Sequence, residues 1–151
     1  MTNDNCTIER IASHQLEQVR SMANKRLQEN YTRELVDHFF ENLNGCFLVA
    51  MEGEQLLGFI VAVPKDETSL RVLMLVVEEG YEGRGVGRKL MSAAEGYASS
   101  RKMGSIALEV GTSNEKAVVF YTRIGFRITG ILDNYYEDRS DAFIMKKILP
   151  V

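Results

Sequence analysis

The spacing of apolar positions changes several times along the chain, and each change marks an element. Thr7–Ile11 alternates apolar and polar residues and predicts a short strand. From Ser13 to Gln28 the period lengthens. Leu16, Val19, Ala23 and Leu27 then share one helical face, with Ser13 placed to cap it. Thr32 is placed to cap a second helix that buries Leu35, Val36, Phe39 and Phe40. Cys46–Met51 and Leu56–Val63 are strand-like runs around Glu52-Gly53-Glu54, a hairpin signal. Arg71–Val77 is a third run and reads as buried on both faces. Gly83–Gly87 is a glycine-rich turn. A helix follows to about Arg101, with Val86, Leu90, Ala94 and Tyr97 at helical spacing, and Lys102-Met103-Gly104 closes it in the manner of a glycine C-cap. Ser105–Val110 predicts a strand and Asn114–Arg123 a helix ended by Gly125. Phe126–Leu132 and Ala142–Lys147 predict strands joined by Asp133–Asp141.

The predicted order is βααβββαβαββ. The early strands form hairpins and are antiparallel, whereas Arg71 to Val110 is a right-handed strand–helix–strand unit with parallel strands. The expected class is α+β: a central mixed, mostly antiparallel sheet with a parallel β-α-β core and helices on both faces. No linker, repeat or low-complexity stretch interrupts the pattern, so residues 1–151 are expected to form a single domain.

Composition narrows the function classes. The chain has 151 residues, 45% hydrophobic and 26% charged, which suits one globular domain. The longest apolar run, Leu56–Val63, is interrupted by Gly58 and falls far short of the ~20 residues of a membrane span. Residues Met1–Arg10 lack the basic start and apolar stretch of a signal peptide. The expected setting is cytoplasmic, without a membrane partner. A net charge of −3 gives no global attraction to nucleic acid, so any anion site must be local. Cys6 and Cys46 lack metal-ligand spacing, and His14 and His38 have no matching partner. Two reduced thiols and no metal are expected.

The chemistry concentrates where the Arg71–Val77 strand runs out. Glu78-Glu79-Gly80-Tyr81-Glu82-Gly83-Arg84-Gly85-Val86-Gly87-Arg88 places a glycine-rich loop between a strand and a helix start. Glycines let backbone N–H groups turn inward, and the helix N-terminus adds positive charge, so the arrangement suits a pyrophosphate. Arg84, Arg88 and Lys89 supply further cations. A tight turn that binds nothing is the alternative. A dinucleotide fingerprint would need a third glycine where Arg88 stands, and a nucleotide P-loop would need Lys-(Ser or Thr) where Val86-Gly87 stands.

Glu82-Gly83-Arg84-Gly85-Val86-Gly87 resembles the acetyl-CoA loop of the GNAT superfamily of N-acetyltransferases, (Gln or Arg)-x-x-Gly-x-(Gly or Ala), with Glu82 at the Gln or Arg position. The likeness continues in Asn114-Glu115-Lys116-Ala117, Phe120-Tyr121 and Ile124-Gly125-Phe126, similar to the family's second cofactor element. Leu27-Gln28-Glu29-Asn30-Tyr31 resembles the Leu-Pro-Glu-Asn-Tyr segment of NatA-type N-terminal acetyltransferases, with Gln28 in place of proline. Asn134-Tyr135-Tyr136-Glu137-Asp138 and Asp141–Lys146 resemble the tyrosine hairpin of that group and of the ribosomal-protein (alanine) N-acetyltransferases.

The resemblance implies a GNAT-like fold that binds acetyl-CoA and releases coenzyme A, with no metal. It implies cofactor contacts at Leu75, Val76, Val77, Gly83, Arg84, Gly85, Val86, Gly87, Arg88, Asn114 and Tyr121. It implies protein or peptide N-termini as substrate, nascent or ribosomal proteins among them, gripped by Glu29, Tyr31, Tyr135 and Tyr136. Glu109, an acid interrupting an apolar strand, is the expected general base, with Glu29 in reserve. Tyr121 is the expected acid for the departing thiolate, or a donor that stabilises it. Taken singly, Asn114 also reads as a helix N-cap, Tyr121 as a core aromatic, and Glu109 as a strand residue in an ion pair. Arg71 has no assigned role. Acetylation of a lysine or a small amine on the same scaffold stays open. So does a non-catalytic acyl-CoA-binding module, which Glu82 favours, and the oligomeric state is open.

Overall fold

The computed structural model describes residues 6–26, 33–42, 44–136 and 138–150. Its elements are β1 (Thr7–Arg10), α1 (Leu16–Arg26), α2 (Arg33–Asn42), β2 (Cys46–Glu52), β3 (Gln55–Pro64), β4 (Ser69–Val77), α3 (Val86–Ser100), β5 (Ser105–Gly111), α4 (Glu115–Arg123), β6 (Arg127–Leu132) and β7 (Ala142–Ile148). The hydrogen-bonded strand order is β1-β2-β3-β4-β5-β7-β6. β4 and β5 pair in parallel, whereas β1–β2, β2–β3, β5–β7 and β6–β7 are antiparallel. The expected mixed, mostly antiparallel sheet is what forms.

Two compact units divide the chain: Met1–Val63 with Leu73–Tyr97, and Pro64–Val72 with Ala98–Val151. In the first unit, Val19, Met22 and Ala23 of α1 and Val36 of α2 pack with Phe47, Val49, Phe59, Val61, Met74 and Val76. Gly58, next to Phe59, faces the other way. A Cβ there would meet Leu90 Cδ1 of α3 at 3.2 Å and the Val76 carbonyl oxygen at 2.6 Å, so glycine permits the close approach. Helices therefore cover both faces of this part of the sheet.

In the second unit, Ser69–Arg71 pair with Ser105–Ala107, and all of β5 pairs with β7. Ile106, Leu108 and Met145 are buried on one face. Glu109 and its cross-strand partner Ile144 lie on the other face, half-buried.

Three local expectations are corrected. Ser13 does not cap α1. It begins a 3-10 turn, Ser13–Gln15, whose N-cap is Ala12. The Gln15 side-chain oxygen accepts from the Ala12 N–H at 2.8 Å, while its amide donates to Glu9 at 3.0 Å. β4 is not buried on both faces: Arg71, Leu73, Leu75 and Val77 are half-buried and alternate with buried Leu70, Val72, Met74 and Val76. Finally, α3 is not closed by Gly104. Lys102 takes the left-handed conformation, at φ 59°.

Candidate active site

In the first unit, the loop that follows β4 is built from backbone. β4 ends at Val77, and Glu78 N–H still bonds the Leu57 carbonyl at 2.8 Å. The chain then turns through Gly83 (φ 78°) and Gly85 (φ 84°), which L side chains rarely adopt. A Cβ at either would meet nothing within 4 Å. The glycines thus serve conformation rather than space. The first rung of α3 runs from Lys89 N–H to the Gly85 carbonyl at 3.0 Å. Val86, Gly87 and Arg88 precede it, so their N–H groups have no carbonyl on the helix to bond. Such a helix start fits the phosphates of a coenzyme A derivative.

The three expected cations differ. Arg84 lies over the Tyr81 ring, 5.0 Å from its centre. Arg88 is exposed. Lys89 donates to the Cys6 carbonyl at 2.6 Å, so it ties down the segment leading into β1. Leu75 and Val77 are half-buried and Val76 is buried.

In the second unit, what gathers is side chains. Glu109 meets the Arg71 guanidinium with both oxygens, at 2.8 Å from Nη2 to Oε1 and 3.2 Å from Nε to Oε2. Nη2 also donates to the Tyr135 hydroxyl at 2.9 Å. Burial alone would lower the Arg71 pKa, but the bonds to Glu109 and Tyr135 outweigh it and hold it above its usual value. The Tyr135 and Tyr136 rings meet edge to face at 5.0 Å. Tyr136 lies against Gly111, two residues beyond Glu109 on the same strand face.

Tyr121 packs edge-on to Phe120 and Phe126, with centroids at 5.2 and 5.6 Å. Part of it reaches the surface, yet desolvation pushes its phenol up to about 12, and the Tyr136 phenol acts in the same direction. Asn114 is the N-cap of α4: its Oδ1 accepts from Ala117 N–H at 3.2 Å, leaving the amide N–H groups as its donors. Glu29 and Tyr31 lie outside the described residues.

Arg71 is the residue that sequence reasoning left without a role. It brings Glu109 and Tyr135 together across 38 and 64 positions of chain. The available signal was a lone cation inside an apolar strand, matching the lone acid of the next one. A separate cavity of about 390 Å³ in the first unit, lined by Glu17, Met22, Lys25, Leu56 and Glu78 among others, contains none of the expected site residues. Among the described residues no cluster of His, Cys, Asp or Glu could hold a metal ion. Nor is any helix of theirs long and apolar enough to cross a membrane. Cys6 and Cys46 are buried and form no disulfide with each other.

Residues 16–126 match the model of the acetyltransferase (GNAT) family. The chain belongs to this family. An uncharacterized N-acetyltransferase of Methanocaldococcus jannaschii is 31% identical, over 95% of this chain and 92% of its own. N-alpha-acetyltransferase 30 of Schizosaccharomyces pombe is 30% identical, over 87% of this chain and 91% of its own. The crystal structure of Ard1 from Thermoplasma volcanium superposes with a TM-score of 0.90 at 35% identity, covering 97% of this chain and 99% of that one. The GNAT match includes both the glycine loop and Glu109, and so spans parts of both units.

Proposed function

We propose that this GNAT protein transfers acetyl from acetyl-CoA to the α-amino group of polypeptide N-termini by direct attack, and that residues 1–151 act as one functional domain. The observation that carries the reading is the Arg71–Glu109–Tyr135 fork, and the same unit holds a Tyr121 phenol kept protonated. The relatives named for N-alpha-acetylation support the acceptor.

Acetyl-CoA, when bound, supplies a thioester. The N–H groups from Gly83 to Arg88 would hold its pyrophosphate, aided by Arg84 and Asn114, and the Leu75–Val77 backbone would hold its amide-bearing arm and polarise the carbonyl. An α-amine titrates near 7.7–8.0, so a fair fraction is neutral at pH 7 and a modest base suffices. Glu109 accepts the amine proton, directly or through one water, while Arg71 fixes its orientation. The Tyr121 phenol, at about 12, holds its proton throughout the neutral range. A thiol titrates near 8.5, so full transfer from Tyr121 would run uphill by roughly 5 kcal/mol. Tyr121 therefore stabilises a departing thiolate by a hydrogen bond and does not surrender its proton. Tyr135 and Tyr136, with Glu29 and Tyr31, hold the peptide end, since phenol hydroxyls can bond backbone without reading side chains. The substrates include nascent or ribosomal proteins, and the setting is cytoplasmic.

Mass spectrometry of a diverse peptide library incubated with acetyl-CoA tests this reading. Acetylation is expected on α-amines. Modification of internal lysines or free amines, with none on α-amines, overturns it.

A further inference from the structure

The strand registers place three cations in one line. Arg71 of β4 pairs with Ala107 of β5, Ala107 with Lys146 of β7, and Lys146 with Arg127 of β6. Residues paired in this way project from the same face of a sheet. Arg71, Lys146 and Arg127 therefore stand on the face that carries Glu109. Lys146 and Arg127 are exposed. They are also direct cross-strand neighbours, an arrangement that costs stability because like charges face each other. Among the described residues neither side chain has an ion pair or hydrogen bond to offset this. The chain as a whole is acidic, at −3, so the row is a local reversal of its charge.

We propose that this row receives acidic side chains of the substrate polypeptide just behind its acetylated residue. The inference rests on the α-amine reading above and adds a preference within it. The row begins at Arg71, which holds Glu109 and Tyr135. A peptide whose α-amine lies at that fork can continue outward over Lys146 to Arg127. Three strand steps span about 14 Å, which about four residues of extended chain cover at ~3.3 Å each. Acidic residues at substrate positions three to six thus come opposite the two cations, and the repulsion between Lys146 and Arg127 is relieved on binding.

The test uses two fluorescent peptides with identical first and second residues, carrying Glu or Gln at positions three to six. Binding to the full chain in the presence of coenzyme A is read by anisotropy, and acetylation in parallel samples with acetyl-CoA is read by mass spectrometry. The Glu peptide is expected to bind about tenfold more tightly than the Gln peptide, a preference that shrinks as salt is raised. In the Arg127→Gln, Lys146→Gln double variant the two peptides should bind alike. That variant should melt no lower than the natural chain, since a like-charge pair is gone. Lys146→Gln alone should remove about half of the preference on a logarithmic scale. Equal binding by the natural chain, or a preference that survives the double substitution, overturns the proposal. Equal binding with both peptides acetylated removes the cationic row but leaves the α-amine reading. Preferential binding with neither peptide acetylated does the reverse.

Discussion

The glycine loop and the Arg71 fork, to which the proposed function gives the two halves of one reaction, are built in opposite ways. The loop is made of backbone: Gly83 and Gly85 set φ values of 78° and 84°, and its donors are N–H groups at the start of α3. The fork is made of side chains whose neighbours lie 38 and 64 residues away. A backbone site is written locally, in the residues that permit its conformation. A side-chain site is written in register, which no short stretch of sequence displays. The loop should therefore tolerate side-chain changes and fail on conformational ones, while the fork should do the opposite.

Glu109→Gln is the sharpest way to separate them. It keeps size and removes basicity, so kcat/KM for a peptide substrate at pH 7 should fall by about 10²–10⁴-fold. Acetyl-CoA affinity, read by calorimetry, should stay near that of the natural chain. The loss should shrink as pH rises and the α-amine deprotonates unaided. Near-full activity from pH 6 to 9 would remove Glu109 from the base role, and Glu29→Gln would then be the variant to measure.

Tyr121 gives the next largest effect, seen at alkaline pH. Its folded pKa of about 12 exceeds the unfolded value of about 10, so the folded state keeps a proton that the unfolded chain loses. The stabilising contribution is complete below pH 10 and is lost as pH rises through 12. Over that window it amounts to roughly 2–3 kcal/mol. Urea denaturation should show this alkaline loss in the natural chain and a flatter profile in Tyr121→Phe. Parallel profiles would mean that the phenol is not desolvated.

Gly85→Val tests the loop. A Cβ there meets no atom within 4 Å, so the fold has room for it, but φ 84° penalises it by about 1–2 kcal/mol. The loop should rearrange and acetyl-CoA should bind roughly tenfold more weakly, with peptide affinity little changed. Gly87 is different because it lies inside α3 and is absent from the positive-φ glycines. Gly87→Ala should therefore stabilise the helix by up to about 1 kcal/mol. If Gly87→Ala weakens acetyl-CoA binding as much as Gly85→Val does, close approach of the ligand, and not backbone conformation, is what the loop glycines provide.

The same contrast explains what could be read in advance. The strand runs, the Glu52-Gly53-Glu54 hairpin, the strand–loop–helix order and the cap at Asn114 depend on neighbours a few residues apart, and each formed as its local pattern predicts. Glu109 could be picked out as an acid among Leu108 and Val110, but its partner could not, because Arg71 reaches it only through the parallel pairing of Arg71 with Ala107. The likeness of the tyrosine hairpin to relatives pointed to Tyr135, without indicating that its hydroxyl would accept from Arg71. Lys89 stands among the expected phosphate cations by position, and its bond to the Cys6 carbonyl, 83 residues away, was not legible there. Even at close range a substitute can win. Gln15 supplies the cap that Ser13 was expected to give, since its longer side chain reaches back to the Ala12 N–H.

The smallest effect concerns the end of α3, where conformation and residue type disagree. Met103 N–H bonds the Ala98 carbonyl at 3.0 Å and Lys102 N–H bonds that of Ser99 at 3.0 Å. With Lys102 at φ 59°, these bonds form a Schellman closure, and Met103 and Ala98 are both buried as its apolar pair. A lysine in this conformation is strained where a glycine would not be. Gly104, two residues later, is not among the positive-φ glycines; its N–H bonds the Thr68 carbonyl at 2.9 Å, and a Cβ there would meet nothing within 4 Å. Lys102→Gly should thus stabilise the chain by about 0.5–1 kcal/mol, the difference between the left-handed penalty and the entropy that glycine brings. Gly104→Ala should be neutral or stabilising by a similar amount, because it narrows the unfolded ensemble without straining the folded one. Urea midpoints at constant m-value measure both. A destabilised Gly104→Ala beside an unchanged Lys102→Gly would return the helix-ending role to Gly104, and the rule that glycine position marks backbone need would then hold at α3 as it does in the loop.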